Sequence, residues 1–160
     1  MLKVKVICVG KLKERFYTEA VDEYTKRLDR YCNIEIIQLP ESRLPENPSD
    51  AQIQDALLKE SSAIEKLLQL GGRAIALCVE GKQISSESFG TLLKSSATEG
   101  ISRLNFIIGG SFGLHSNIKS NADILLSMSK MTFPHHLVRV MLLEQLYRAF
   151  NITDGGKYHK

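Results

Sequence analysis

The chain has 160 residues, of which 43% are hydrophobic and 24% charged, with a formal net charge of +3. That length is one domain with room for a proper core, and the balance excludes disordered and fibrous classes. The mild positive charge permits an anionic partner such as RNA without demanding one.

The N-terminal MLKVKVICVGK has too short an apolar run for a signal peptide and is broken by lysines. Its β-rich portion, 4–9, predicts a first strand closed by Gly10. A helix follows over about 12–31, with Phe16, Ala20, Tyr24 and Leu28 at inward spacing. A second strand, 34–39, ends at Pro40, and the stretch 41–50 with its two prolines is the longest loop. Ser49 and Gln52 form a capping-box pattern opening a second helix, with Ile53, Leu57, Ile64, Leu67 and Leu68 facing inward and Gly71–Gly72 stopping it.

The third strand is expected at 74–79, followed by a Ser-rich helix over 85–99 that Gly100 ends. The fourth strand, 104–108, is broken by Gly109, and a short helix around Ile118 leads to a fifth strand at 124–129. Pro134 fits the first turn of a final helix running to about Phe150. Strands alternating with helices predict a single α/β domain over 1–160, its mostly parallel sheet covered on both faces. No segment approaches the roughly 20 apolar residues of a membrane span. Cys8, Cys32 and Cys78 lack metal-ligand spacing, and Cys8 and Cys78 fall in apolar strand-like runs. Reduced thiols and a cytoplasmic protein are the expectation.

In open α/β sheets, ligands bind beyond the carboxyl ends of the strands. Four polar turns fall there: Lys11, Lys13 and Arg15 after the first strand, Glu80-Gly81-Lys82 after the third, Gly109 to His115 after the fourth, and LSMSKMTFPHH after the fifth. Each alone is compatible with an ordinary solvated turn. The GGSFG turn lets backbone approach a ligand closely, yet matches neither G-x-G-x-x-G nor a P-loop. That speaks against NAD or ATP in their commonest settings and leaves other adenosine-bearing ligands open.

The final helix is apolar on nearly all sides, through Leu137, Val138, Val140, Met141, Leu142, Leu143, Leu146, Tyr147, Ala149 and Phe150. Such a helix is buried all round. Only one face can lie on its own sheet, which predicts a second subunit against the other. Glu144 and Arg148, one turn apart on that helix, read equally as an interfacial ion pair or as site residues. His135 and His136 point about 100° apart and cannot share one site; His115 reads as a cap on the glycine turn it follows. No metal site is expected.

These residues together resemble, over essentially the whole chain, the small bacterial SPOUT-class methyltransferases that modify N3 of a pseudouridine in 23S ribosomal RNA. The matching blocks are VGKLKERFYTEAVDEYTKRL, EGK, FIIGGSFGL, LSMSKMTFPHHLVRVMLLEQLYRAF and the terminal YHK. The resemblance implies a five-to-six-stranded sheet, a C-terminal trefoil knot and a homodimer joined through its final helices. It implies S-adenosyl-L-methionine as cofactor, touching Leu77, Gly109, Met128, Ser129, Lys130, Met131, Thr132 and Phe133. It makes Glu144, Arg148, Tyr158, His159 and Lys160 the positions that bind the nucleotide and complete the site, with the large ribosomal subunit or whole ribosome as partner. Lys160 keeps a cation at the terminus without the planar fork of an arginine.

Overall fold

The computed structural model describes residues 1–159; the terminal Lys160 lies outside the described residues. In chain order the elements are β1 (Lys3–Val9), α1 (Arg15–Leu28), β2 (Asn33–Leu39), α2 (Asp50–Leu68), β3 (Arg73–Lys82), α3 (Ser86–Thr98), β4 (Arg103–Ile108), α4 (Ser116–Asn121), β5 (Ile124–Leu126) and α5 (His135–Thr153). The strands form one sheet in the order β2-β1-β4-β3-β5, and every pairing is parallel.

Period-two alternation sorts each strand's side chains between two cores. Val4, Val6 and Cys8 of β1 join Phe106, Ile75 and Leu77 on the face covered by α1, α3 and α5. Ile7 and Val9 join Ile107, Ala74 and Ala76 on the face covered by α2 and α4. Helix α5 lies between α1 and α3, where Leu142, Leu143 and Leu146 are almost fully buried.

Local signals hold where the chain itself makes the contact. The Ser49–Gln52 capping box is present in both directions, whereas His115, read as a cap on the glycine turn, instead caps α4 by accepting the Asn117 N–H at 3.1 Å through Nδ1.

Three expectations need correction. Phe16 does not face the core; it is 64% exposed, because α1 begins at Arg15 and Phe16 precedes the turn that reaches the sheet. The fifth strand stops at Leu126, since the Ser127 N–H donates to Lys82 O and its Oγ to Ser129 O, turning the chain. Pro134 sits one residue ahead of α5 as its cap, and the helix continues to Thr153.

The EGK turn proves to be packing as much as site. Strand β3 runs on through it with an irregularity, so that both Leu77 and Lys82 pair with Leu126. A Cβ at Gly81 would lie 2.7 Å from the Leu126 carbonyl carbon. Only glycine lets the two backbones approach this closely.

Candidate functional site: a cavity under the C-terminal hook

Beyond the carboxyl ends of β3, β4 and β5 lies a cavity of about 700 Å³. Its floor is Leu77 and Ile108, one wall is the glycine turn 109–113, and its roof is the hook between β5 and α5. Of the residues expected there, Leu77, Gly109, Met128, Ser129, Met131, Thr132 and Phe133 all line it. Lys130 does not; its side chain is exposed and absent from the lining. At the apex of a tight hook one residue must point outward, and a lysine is the one best solvated there.

Short-range hydrogen bonds set the hook's shape. Ser127 Oγ donates to Ser129 O at 2.9 Å, and Ser129 Oγ accepts the Met131 N–H at 3.0 Å. These serines compete with strand geometry for the backbone and win. The glycine turn is closed by the Gly113 N–H on Gly110 O at 3.1 Å, with Gly113 at a φ of +80°.

Gly109 is glycine for the turn's sake. A Cβ there would fall on the Gly113 carbonyl. Gly109→Ala should therefore displace the whole turn and weaken ligand binding by at least about tenfold, the equivalent of 1.4 kcal/mol, as read by calorimetry. Unchanged affinity would clear the turn of a binding role.

Hydrophobic spacing gives no notice of the groups that fix this wall. Arg139 on α5 is 1% exposed. Its Nη1 donates to Gln38 Oε1 at 3.0 Å, and its Nη2 to Val9 O at 3.2 Å and Gly10 O at 2.7 Å. It thus clamps the ends of β1 and β2 to the final helix. Burial pulls its guanidinium below the ordinary arginine range. Glu41 Oε1 accepts the Ser111 N–H at 2.9 Å, tying the loop after β2 to the glycine turn. His135 lines the cavity with a buried, unpartnered Nε2, and burial, then the neighbouring His136, lowers its pKa. The available signal was a single arginine set among Val138, Val140 and the other apolar residues of α5. Such a residue needs buried acceptors.

The second predicted group forms its own cluster. Glu144 Oε1 accepts from Arg148 Nε at 3.0 Å and Nη2 at 2.7 Å, while Tyr158 Oη donates to Glu144 Oε2 at 2.9 Å. The Arg148 guanidinium lies 4.8 Å from the Tyr158 ring centroid and 3.2 Å from His159 Nδ1. His159 Nε2 is 2.8 Å from Glu87 Oε1. Burial alone would raise the Glu144 pKa; hydrogen bonds from Tyr24, Arg148 and Tyr158 outweigh it and hold the carboxyl below its ordinary value. Burial, then the Glu144 hydrogen bond, raises the phenol of Tyr158.

Within one chain this cluster does not open into the large cavity. Glu144 instead lines a second cavity of about 370 Å³ that meets the first at Ser127 and Met128. The α5 flank carrying Leu137, Val140, Met141, Glu144 and Arg148 is only half-buried. Among the described residues no group of three His, Cys, Asp or Glu side chains is arranged to hold a metal. No described helix is long and apolar enough to cross a membrane.

The family model described as a predicted SPOUT methyltransferase matches residues 2–159, which makes this, by family, a SPOUT methyltransferase. The fold is shared with the crystal structure of a probable methyltransferase from Bordetella pertussis Tohama I, at a TM-score of 0.59 and 13% identity, covering 93% of this chain and 96% of that one. Proteins named ribosomal RNA large subunit methyltransferase H are similar over 159 residues: 46% identical in Streptococcus equi subsp. zooepidemicus and 48% in Streptococcus pyogenes serotype M5, with 99% of this chain and 100% of each relative covered. The chain belongs to that ribosomal RNA large subunit methyltransferase H family.

Proposed function

We propose that this protein transfers a methyl group from S-adenosyl-L-methionine to N3 of a pseudouridine in 23S rRNA, within the large ribosomal subunit or the assembled ribosome. It does so as a cytoplasmic homodimer whose C-terminal segment threads a trefoil knot. The observation that carries this reading is the cavity under the hook, formed by Leu77, Gly109 and most of residues 128–133.

The cavity fits the cofactor. Its volume falls within the roughly 300–1,000 Å³ range of small-ligand sites. Leu77, Ile108, Met128, Phe133 and Val138 supply apolar walls for a purine, and the hook, having left the strand ladder after Leu126, offers backbone groups to its edge. When bound, S-adenosylmethionine supplies an electrophilic methyl group on a sulfonium. The chain's own part is to aim the nucleophile and exclude water.

Pseudouridine N3 is an imide nitrogen and becomes nucleophilic as its proton leaves. Arg148, held in a fixed orientation by two hydrogen bonds to Glu144, stabilises charge developing on the flanking carbonyl oxygens. Lys160 adds a second cation. His159 accepts the N3 proton, and Tyr158 orients the nucleotide. In the dimer the half-buried flank of α5 packs on its counterpart, and the tail of one subunit completes the cavity of its partner.

The deciding experiment is mass mapping of methylated nucleotides in ribosomal RNA from cells with and without this chain. Loss of one methyl group at a pseudouridine is the expected result. Unaltered RNA, or no S-adenosylmethionine binding by calorimetry, would instead favour a non-catalytic RNA-binding role.

A further inference from the structure

The N-terminal end of α1 carries an unusual combination. Phe16 is 64% exposed, and Lys11 and Lys13 beside it are exposed and form no ion pair among the described residues. Arg15 is engaged with Glu19 at 2.7 Å, and Glu14 faces His136 at 3.5 Å, so the two lysines are the cations left for a ligand. From Phe16 an aromatic track runs inward. Phe16 and Tyr17 have ring centroids 4.3 Å apart, Tyr17 and His136 6.0 Å, and His136 and His135 4.1 Å. His135 lines the large cavity.

This edge is also held in place. The Leu12 N–H donates to Gln38 Oε1 at 2.9 Å, the oxygen that also accepts from buried Arg139. The Gly10 N–H donates to Leu39 O at 2.7 Å. The loop bearing Lys11 and Lys13 is therefore anchored at both its backbone and its neighbouring strand. By contrast Arg27 is paired with Glu23, and Arg30 lies over Tyr31, at the far end of α1. Lys26 is the exposed cation at that end without an ion pair among the described residues, and no aromatic track leads from it to the cavity.

We propose that this edge docks a single-stranded segment of the ribosomal RNA, with a base stacked on Phe16 and neighbouring phosphates on Lys11 and Lys13. The inference rests on the function proposed above. Exposed aromatic rings beside unpaired cations suit unpaired nucleotides, since every base offers a π-face and every linkage a negative charge. The track places this contact beside the cavity, where a nucleotide delivered for reaction must arrive.

The test is steady-state methylation of large subunits purified from cells lacking the chain, together with direct binding of those subunits. Phe16→Leu should raise KM for the subunit about tenfold, in line with the stacking loss measured for single bases. It should leave maximal rate, S-adenosylmethionine affinity and subunit mass in solution unchanged. Phe16→Tyr should restore the wild-type KM, because stacking needs a ring and apolar packing does not. Lys11→Gln with Lys13→Gln should lower the slope of log binding against log salt by about 1.4. Wild-type behaviour of both variants, or a change in oligomeric mass in Phe16→Leu, would overturn the docking surface. A wild-type chain that transfers no methyl group to any ribosomal particle would overturn the proposed function itself, which separates the two failures.

Discussion

Replacing Arg139 by methionine is expected to cost about 3 kcal/mol of stability, the sum of buried acceptors left unmet and partly regained apolar packing. Val9 O and Gly10 O both lose the Arg139 donor, while Gln38 Oε1 keeps the Leu12 N–H. Val9 and Gly10 are buried, so their carbonyls have no ready access to water, whereas Gln38 is exposed and can be resolvated. For a chain of this size the loss corresponds to a fall in Tm of roughly 10 °C, read in thermal and urea unfolding. Arg139→Lys retains a charge but cannot span acceptors on two strands and should recover only part of the loss. A change below about 1 kcal/mol would mean that the clamp is redundant.

The second large effect is on activity and leaves stability nearly untouched. A chain ending at Lys157 should bind S-adenosylmethionine within about twofold of the full-length affinity, while methyl transfer falls at least about 100-fold, the usual consequence of removing charge-stabilising donors from a reaction site. The tail contributes no core residue: Tyr158 is 36% exposed. What it contributes is an ordered polar cluster around Glu144 and Arg148. Glu144→Gln is the companion variant, because it removes the charge that holds both Arg148 and Tyr158 and should reduce transfer without shortening the chain. Full activity of the truncated chain would remove Tyr158, His159 and Lys160 from the mechanism together.

How legible these features are in the sequence depends on how far apart their parts lie. The order of ten elements follows from periodicity and punctuation, and the Ser49 capping box is a contact across three residues. The hook's residues are recognisable as a block, and seven of the eight positions that the resemblance assigns to a cofactor line one cavity. Boundaries set by tertiary pairing were not readable: β3 extends to Lys82 only because Leu126 lies beside it. Arg139 joins partners about 100 residues earlier, and Glu41 reaches the glycine turn from a loop with no pattern of its own. Phe16 misleads because apolar spacing cannot distinguish a ring that packs from one that is presented.

The sheet order has a consequence for how the protein is made. Lys3 pairs with Asn33 on one side and Arg103 on the other, so the first strand synthesised waits for the fourth before it is flanked on both edges. At roughly 5–20 residues per second that interval is several seconds, during which β1 and β2 offer a hydrophobic edge to any neighbouring chain. Completion then requires the final helix, whose Arg139 seals the ends of both early strands. Slow acquisition of the native state, with a need for protection during synthesis, is built into the topology.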